Sequence, residues 1–235
     1  MRSPEISVII PALNEQKYIG NPLSGLKSQT FKDFETIVVD GGSKDRTASI
    51  ARKSAKVIVC REKGVSAARN RGAAAAKGSI LLFLDADTRP SKDLLRIYHE
   101  IFLDKSVACA TGPVYPLERT KKRIRIGYSI VSVAFVKLSI LAGSPHIIGS
   151  NFAARASSFR KCGGFDEKLL TYEDWDLSGR IKRCGTVAYS NRAAVHTSVR
   201  RVAAWGVFGY FLFYLTNMIM YHVLRKARSN YGEYR

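Results

Sequence analysis

Ile80-Leu81-Leu82-Phe83-Leu84-Asp85-Ala86-Asp87 is an apolar run that stops at two carboxylates one residue apart. Large apolar residues in succession, without polar alternation, mark a strand covered on both faces, as in parallel sheets packed between helices. In open sheets of that kind ligands bind beyond the carboxyl ends of the strands. Asp85 and Asp87 stand at such an end, and Ala86 between them is small enough to admit a ligand. Together the two carboxylates can present oxygens to one hard divalent cation, Mn2+ or Mg2+. Alone the triplet is weak evidence, because Asp-x-Asp after a strand also serves turns and helix caps.

The first 110 or so residues alternate strand and helix signals. Ile6–Ile10 reads as a strand closed by Pro11. Glu15 to Gln29 reads as a helix with Tyr18, Ile19, Leu23 and Leu26 inward, weakened by Gly20 and Pro22. Glu35–Asp40 is a second strand, and Ser43 or Asp45 can cap a helix over 46–54. A short strand over Lys56–Cys60 and an Ala-rich helix over Ser66–Ala76 lead back to the run at Ile80. A helix over Ser91–Leu103 and strands over Val107–Ala110, Gly149–Ala154 and Val187–Ser190 follow. This order predicts an α/β fold: a mostly parallel central sheet flanked by helices, with right-handed crossovers. Asp40, like Asp85 and Asp87, then falls at a strand's carboxyl end.

The composition is that of a globular protein except in charge. Thirty-eight Lys and Arg against 19 Asp and Glu give +19 over 235 residues, which implies a polyanionic partner. Cys60, Cys109, Cys162 and Cys184 form no CxxC pair, so structural zinc and a disulfide framework are poorly supported and a reduced compartment is expected. The run Ile6–Ile10 is too short for the core of a signal peptide.

The strand ends carry further patterned residues: Ile9-Ile10-Pro11-Ala12-Leu13-Asn14-Glu15, and Val38-Val39-Asp40-Gly41-Gly42-Ser43-Lys44-Asp45-Arg46-Thr47. Ala68-Arg69-Asn70-Arg71-Gly72 lies on the Ala-rich helix, and Gly163-Gly164-Phe165-Asp166-Glu167 precedes Glu173-Asp174-Trp175-Asp176. With Asp85-Ala86-Asp87, these six motifs, in this order and spacing over about residues 5 to 196, resemble glycosyltransferase family 2, the inverting enzymes of the GT-A fold. The resemblance implies that Pro11, Ala12 and Glu15 line a nucleotide pocket, that Asp40 hydrogen-bonds the base, and that Arg69 lies near the base or diphosphate. It implies that Asp85 meets the ribose or the metal, beside Ala86, and that Asp87 is the principal metal ligand. Asp174, paired with Glu173, would be the general base that takes the acceptor's proton. His196 stands where some GT-A enzymes place a third metal ligand, although a lone His is more often structural. Gly41 departs from the pattern, since many members carry a second Asp there. The QxxRW motif of processive synthases is missing after Asp174, which points to transfer of a single sugar from a nucleotide-diphosphate sugar. On this reading residues 1–198 form the GT-A domain, with a nucleotide-sugar half (1–112) and an acceptor half (113–198), and 199–235 form a basic, apolar, membrane-associating segment.

Two apolar stretches frame that last expectation. Ile126–Leu141 is broken only by Lys137, and Ala203–Leu224 contains no Asp, Glu, Lys or Arg. On a helical wheel Gly206, Tyr210, Tyr214, Asn217 and Tyr221 share one side, and Phe208, Leu212, Leu215 and Ile219 the other. Basic residues flank both stretches, at 119–125, 200–201 and 225–235. That pattern fits helices lying in an anionic membrane interface at the cytoplasmic face, though 22 residues could also span, and a soluble core or dimer interface is the third reading. A lipid-linked acceptor would then be within reach. Two other classes compete. A sugar-phosphate nucleotidyltransferase would want a Gly-rich basic loop after the first strand, which Pro11–Glu15 lacks. A nucleic-acid binder is suggested by charge alone and lacks any recognised motif, so no nucleic-acid partner is expected.

Overall fold

The computed structural model describes residues 3–118, 122–169 and 171–224. Strands β1 (Ile6–Ala12), β2 (Phe34–Asp40), β3 (Lys56–Val59) and β4 (Ile80–Leu84) run parallel in the order β3-β2-β1-β4. Helices α1 (Gly20–Lys27), α2 (Thr47–Ala51) and α3 (Val65–Ala75) connect them. The sheet continues through β8 (Asn151–Arg155), β6 (Val107–Thr111) and β9 (Thr186–Tyr189). β8 is antiparallel to both its neighbours, while β6 and β9 are parallel. A separate three-stranded sheet, β5 (Thr88–Pro90), β10 (Val195–Thr197) and β7 (Val114–Pro116), stands beyond the end of β4. The remaining helices are α4 (Leu94–Phe102), α5 (Lys122–Leu141), α6 (Ala156–Lys161), α7 (Glu173–Ile181) and α8 (Arg200–Leu224).

The apolar strands are explained by burial on both sides. Ile80, Leu82 and Leu84 enter one core with Ile6, Val8, Ile10 and Tyr98. Leu81 and Phe83 enter the other with Ile9, Val39, Phe152 and Phe165. Alternate side chains of one strand thus serve two cores. Helix α3 lies so close to the sheet that a Cβ on Gly72 would come within 2.4 Å of Ile9 Cγ2. The glycine of the Arg69–Gly72 motif is there for packing.

The sequence expectations differ from the structure in three places. The first helix starts at Gly20, five residues later than expected. The N–H groups of Asn14, Glu15 and Gln16 are taken by Ser43, Thr47 and Asp45 of the neighbouring loop, so this segment turns instead of coiling. Gly20 and Pro22 then fall in the first turn, where proline's missing N–H costs nothing. The small sheet has no counterpart in the sequence pattern, because three-residue strands leave no periodic signal. Finally, α8 is broken at Gly206 (φ 71°, ψ 164°), which separates its first turn from the rest.

Helices α5 and α8 turn their polar sides inward. Ser139 and Asn217 are buried, and the Tyr221 hydroxyl donates to Asp176 at 2.6 Å. Ile130, Leu138, Leu141, Phe208 and Leu212 are exposed, Phe208 at 78%. Among the described residues no helix is long and apolar enough to cross a membrane. Of the basic runs, 119–121 and 225–235 lie outside the described residues.

Candidate active site

The carboxyl ends of β1, β2 and β4 lie side by side, since Ala12 pairs with Asp40 and Ile9 with Phe83. The loops that leave β1 and β2 are tied together. Asn14 Oδ1 accepts from the Lys44 N–H at 2.9 Å, and the Gly41 N–H donates to Ala12 carbonyl at 2.8 Å. Asn14 is held at φ 55°, a conformation Asn tolerates better than most residues. The two motifs are therefore one structural unit. Asp40 is 4% exposed, and its Oδ2 caps the turn by accepting from the Ser43 N–H. Its Oδ1 is buried with no hydrogen-bond partner. A Cβ at Gly41 would meet its nearest atoms at 3.5–3.6 Å, so space does not impose the glycine there.

Arg69 is the buried hub of the site. Its Nη1 donates to Glu173 at 2.8 Å, and its Nη2 donates to Asp85 at 2.9 Å and to the Gly149 carbonyl at 3.2 Å. Its side chain is 3% exposed and lies over the Phe165 ring. The guanidinium is committed to protein groups, which differs from the expected place against base or diphosphate. The buried Glu173 carboxylate at the start of α7 needs a fixed countercharge, and α3 supplies it to Glu173 and to the half-exposed Asp85 at the end of β4. The next residue, Asn70, grips the Gly163–Glu167 loop: it accepts from the Phe165 N–H and donates to the Phe165 carbonyl, both at 2.9 Å. Gly164 (φ 66°) leaves room for it, since a Cβ there would sit 2.7 Å from Asn70 Oδ1. Two motifs separated by ninety-odd residues are thus joined by one amide side chain.

Glu173 and Asp174 open α7 just after Tyr172, which is held at φ 72°, a strained conformation for an aromatic residue. Glu173 is turned inward onto Arg69 and is 5% exposed. Asp174 accepts from the Gly149 N–H and from the Trp175 N–H, each at 2.9 Å. Burial, then the neighbouring Glu173 carboxylate, push its pKa well above the ordinary carboxylate range, and Arg69 only partly offsets them.

Asp87 accepts from the Thr197 hydroxyl at 3.1 Å, and its side chain is 14% exposed. Burial and the adjacent Asp85 raise its pKa to about 6, against the pull of Arg200. Arg200 donates to both carboxylate oxygens of Glu15, at 2.9 and 2.6 Å, and reaches Asp87 Oδ2 at 3.4 Å. Sequence reading missed Arg200 and Thr197. In sequence Arg200 reads as part of a basic membrane flank, and no sequence signal shows that β10 returns beside Asp87. His196 is not brought to the acidic pair. It follows strand alternation onto the face opposite Thr197, exposed and beside Tyr115. Among the described residues no three His, Cys, Asp or Glu side chains are grouped to hold a metal. Pro11 and Ala12 lie at the end of β1 beside this cluster, and Ala86 is buried. Two of the four cysteines, Cys60 and Cys109, are buried and all four are free thiols.

A mostly parallel sheet with an acidic triplet past β4 and a second small sheet is the arrangement of a GT-A glycosyltransferase fold. Residues 7–163 match Glycosyl transferase family 2, and the chain belongs to that family. It is 30% identical over 205 residues to the "Probable glycosyltransferase YdaM" of Bacillus subtilis, covering 77% of this chain and 47% of that protein. It is 30% identical to an "Uncharacterized glycosyltransferase" of Haemophilus influenzae over 73% of this chain and 60% of that one. The chain thus spans less than two thirds of the length of these relatives. In three dimensions it is similar to the mannosyltransferase PcManGT from Pyrobaculum calidifontis, solved with GDP-Man and Mn2+ (TM-score 0.67, 22% identity, 98% of this chain, 67% of that one). S. aureus TarS, solved with UDP-GlcNAc, is also similar (TM-score 0.67, 20% identity, 92% of this chain, 66% of that one). The nucleotidyltransferase and nucleic-acid readings find no support in these relationships.

Proposed function

We propose that this protein transfers one sugar, with inversion, from a nucleotide-diphosphate sugar to an acceptor hydroxyl or phosphate. The observation that carries the reading is Asp174: a carboxylate held by two backbone N–H groups, raised in pKa, and tied through Glu173 and Arg69 to Asp85. The acceptor oxygen would attack the anomeric carbon as the bond to the diphosphate breaks, and Asp174 would take the proton that the oxygen gives up. Asp40 supports the nucleotide assignment, because its orphaned Oδ1 is a buried acceptor awaiting an N–H donor. Pro11 and Ala12 would wall that pocket.

The residues fit a divalent cation, Mn2+ or Mg2+, in part. Asp85 and Asp87 offer hard oxygen donors, and their mutual repulsion in the raised pKa of Asp87 is what a cation relieves. With only two carboxylates, such an ion would complete its shell from the diphosphate and water. When bound it would neutralise charge on the departing phosphate. His196 has no part in this set.

The acceptor would be lipid-linked. The outward apolar residues of α5 and α8, together with a charge of +19, support placement of these helices on an anionic membrane surface at the cytoplasmic face. The decisive test incubates the protein with Mn2+ and a panel of UDP-, GDP- and dTDP-sugars, reading nucleotide release and melting temperature. One donor class should raise the melting temperature with metal present. Absence of a shift with every donor, at millimolar concentrations, would remove the donor assignment.

A further inference from the structure

Arg200 is the first residue of α8 yet lies inside the acidic site. Its guanidinium clasps Glu15, reaches Asp87 and stacks on the Tyr18 ring at 4.5 Å, and its Nε is buried without a partner. The chain just before it is pinned to the same place: the Ser198 N–H donates to the Asp87 carbonyl, and the Val199 N–H to Glu118. Six residues later the helix is broken at Gly206, where a Cβ would touch nothing, so only the backbone conformation calls for glycine. A guanidinium 3.4 Å from Asp87 and a divalent cation on Asp87 repel each other, and cannot share that carboxylate without cost. An arginine fork also matches a diphosphate in geometry and charge.

We propose that Arg200 is a latch between the donor site and the C-terminal helix. Its guanidinium holds Glu15 and Asp87 until cation and donor arrive, then passes to the diphosphate. That transfer removes one anchor of the first turn of α8, and the helix beyond it can pivot at Gly206. The proposal rests on the reading of Asp87 as a cation ligand, and it makes Arg200 a donor-sensing residue and not merely a helix flank. Donor loading would then be felt by the helix that we place at the membrane.

The test uses the full chain and three readouts other than turnover: Mn2+ binding by electron paramagnetic resonance, UDP and GDP binding by calorimetry, and tryptophan emission. Trp175 and Trp205 are the two tryptophans, so a Trp175→Phe background reports Trp205, five residues into α8. If the latch is closed about nine-tenths of the time, Arg200→Ala should bind Mn2+ alone about tenfold more tightly. It should bind the preferred nucleoside diphosphate with Mn2+ about tenfold more weakly, and Arg200→Lys should recover part of that loss. The Trp205 response to Mn2+ plus nucleotide should vanish in Arg200→Ala. Unchanged or weakened Mn2+ binding by Arg200→Ala, while Asp87→Asn loses it, overturns the latch and leaves the cation site standing. Asp87→Asn binding Mn2+ like the parent overturns the cation site and the latch with it. Should Arg200→Ala lose its fold by circular dichroism, Arg200→Gln carries the same comparison.

Discussion

Replacing Asp87 by Asn should stabilise the protein in the absence of metal. A carboxyl whose pKa is raised to about 6, against an ordinary 3.8, penalises the folded state once ionised. At about 1.4 kcal/mol per tenfold in proton affinity, the penalty is about 3 kcal/mol. The sign follows from linkage: a raised carboxyl contributes stability below pH 3.8 that is lost as pH rises through 6. Asn cannot ionise, so the variant keeps it. Buried area and hydrogen bonding to Thr197 are nearly conserved by the exchange, but the 3.4 Å contact to Arg200 is weakened, so about 3 kcal/mol is a ceiling. For a chain of this size about 2–4 °C accompanies each kcal/mol, giving an increase of several degrees at pH 7.5. Differential scanning calorimetry in EDTA from pH 4 to 8 should show the two proteins converging near pH 4, separating as pH rises to about 6, and keeping a constant difference above it. Adding Mn2+ with the preferred nucleotide-sugar should raise the parent's melting temperature and leave the variant's unchanged. A variant less stable than the parent at pH 7.5, or equal metal shifts in both, would refute the reasoning.

Asp174→Asn should lower kcat by about 10²–10⁴ while leaving nucleotide affinity intact, and calorimetry beside a transfer assay separates the two. In the parent, kcat/KM should fall as pH drops through the raised pKa of Asp174, with an acid limb near neutrality; a limb near pH 4 would contradict the buried-base assignment. Arg69→Met strands Glu173 and Asp85 without countercharge and should cost about 3–5 kcal/mol in urea unfolding, with partial recovery when Glu173→Gln is added. A cost under 1 kcal/mol would mean the hub is not structural. Phe208→Ser with Leu212→Ser should weaken sedimentation with anionic vesicles at least about tenfold, since each exposed apolar side chain is worth about 1.5–3 kcal/mol on burial; parent protein that ignores such vesicles would end the membrane proposal.

Much of the site was readable because its residues belong to loops fixed by strand ends. The apolar run to Leu84 placed Asp85 and Asp87 at a carboxyl edge, and the Asp40 strand placed a second acid beside them. Glu173 and Asp174 were legible as a pair but not as a division of labour. Only packing turns Glu173 onto Arg69 and leaves Asp174 on the Gly149 N–H. Arg69 was legible as a motif residue and misplaced in role, because a guanidinium that pairs with distant carboxylates looks the same in sequence as one that waits for a ligand.

Local patterning determined the layered α/β fold, the four parallel strands and the acidic edge, since strand periodicity and burial are properties of neighbouring residues. The three-stranded sheet, the approach of Thr197 to Asp87 and the arrival of Arg200 from the far end of the chain were decided by tertiary structure alone. Those contacts join residues 81 to 185 positions apart, and the energies of the charged ones depend on which buried charge finds which partner. The side of α8 that meets solvent was decided in the same way. Asn217 and Tyr221 found hydrogen-bond partners in the body of the protein, and Phe208 and Leu212 were left facing out.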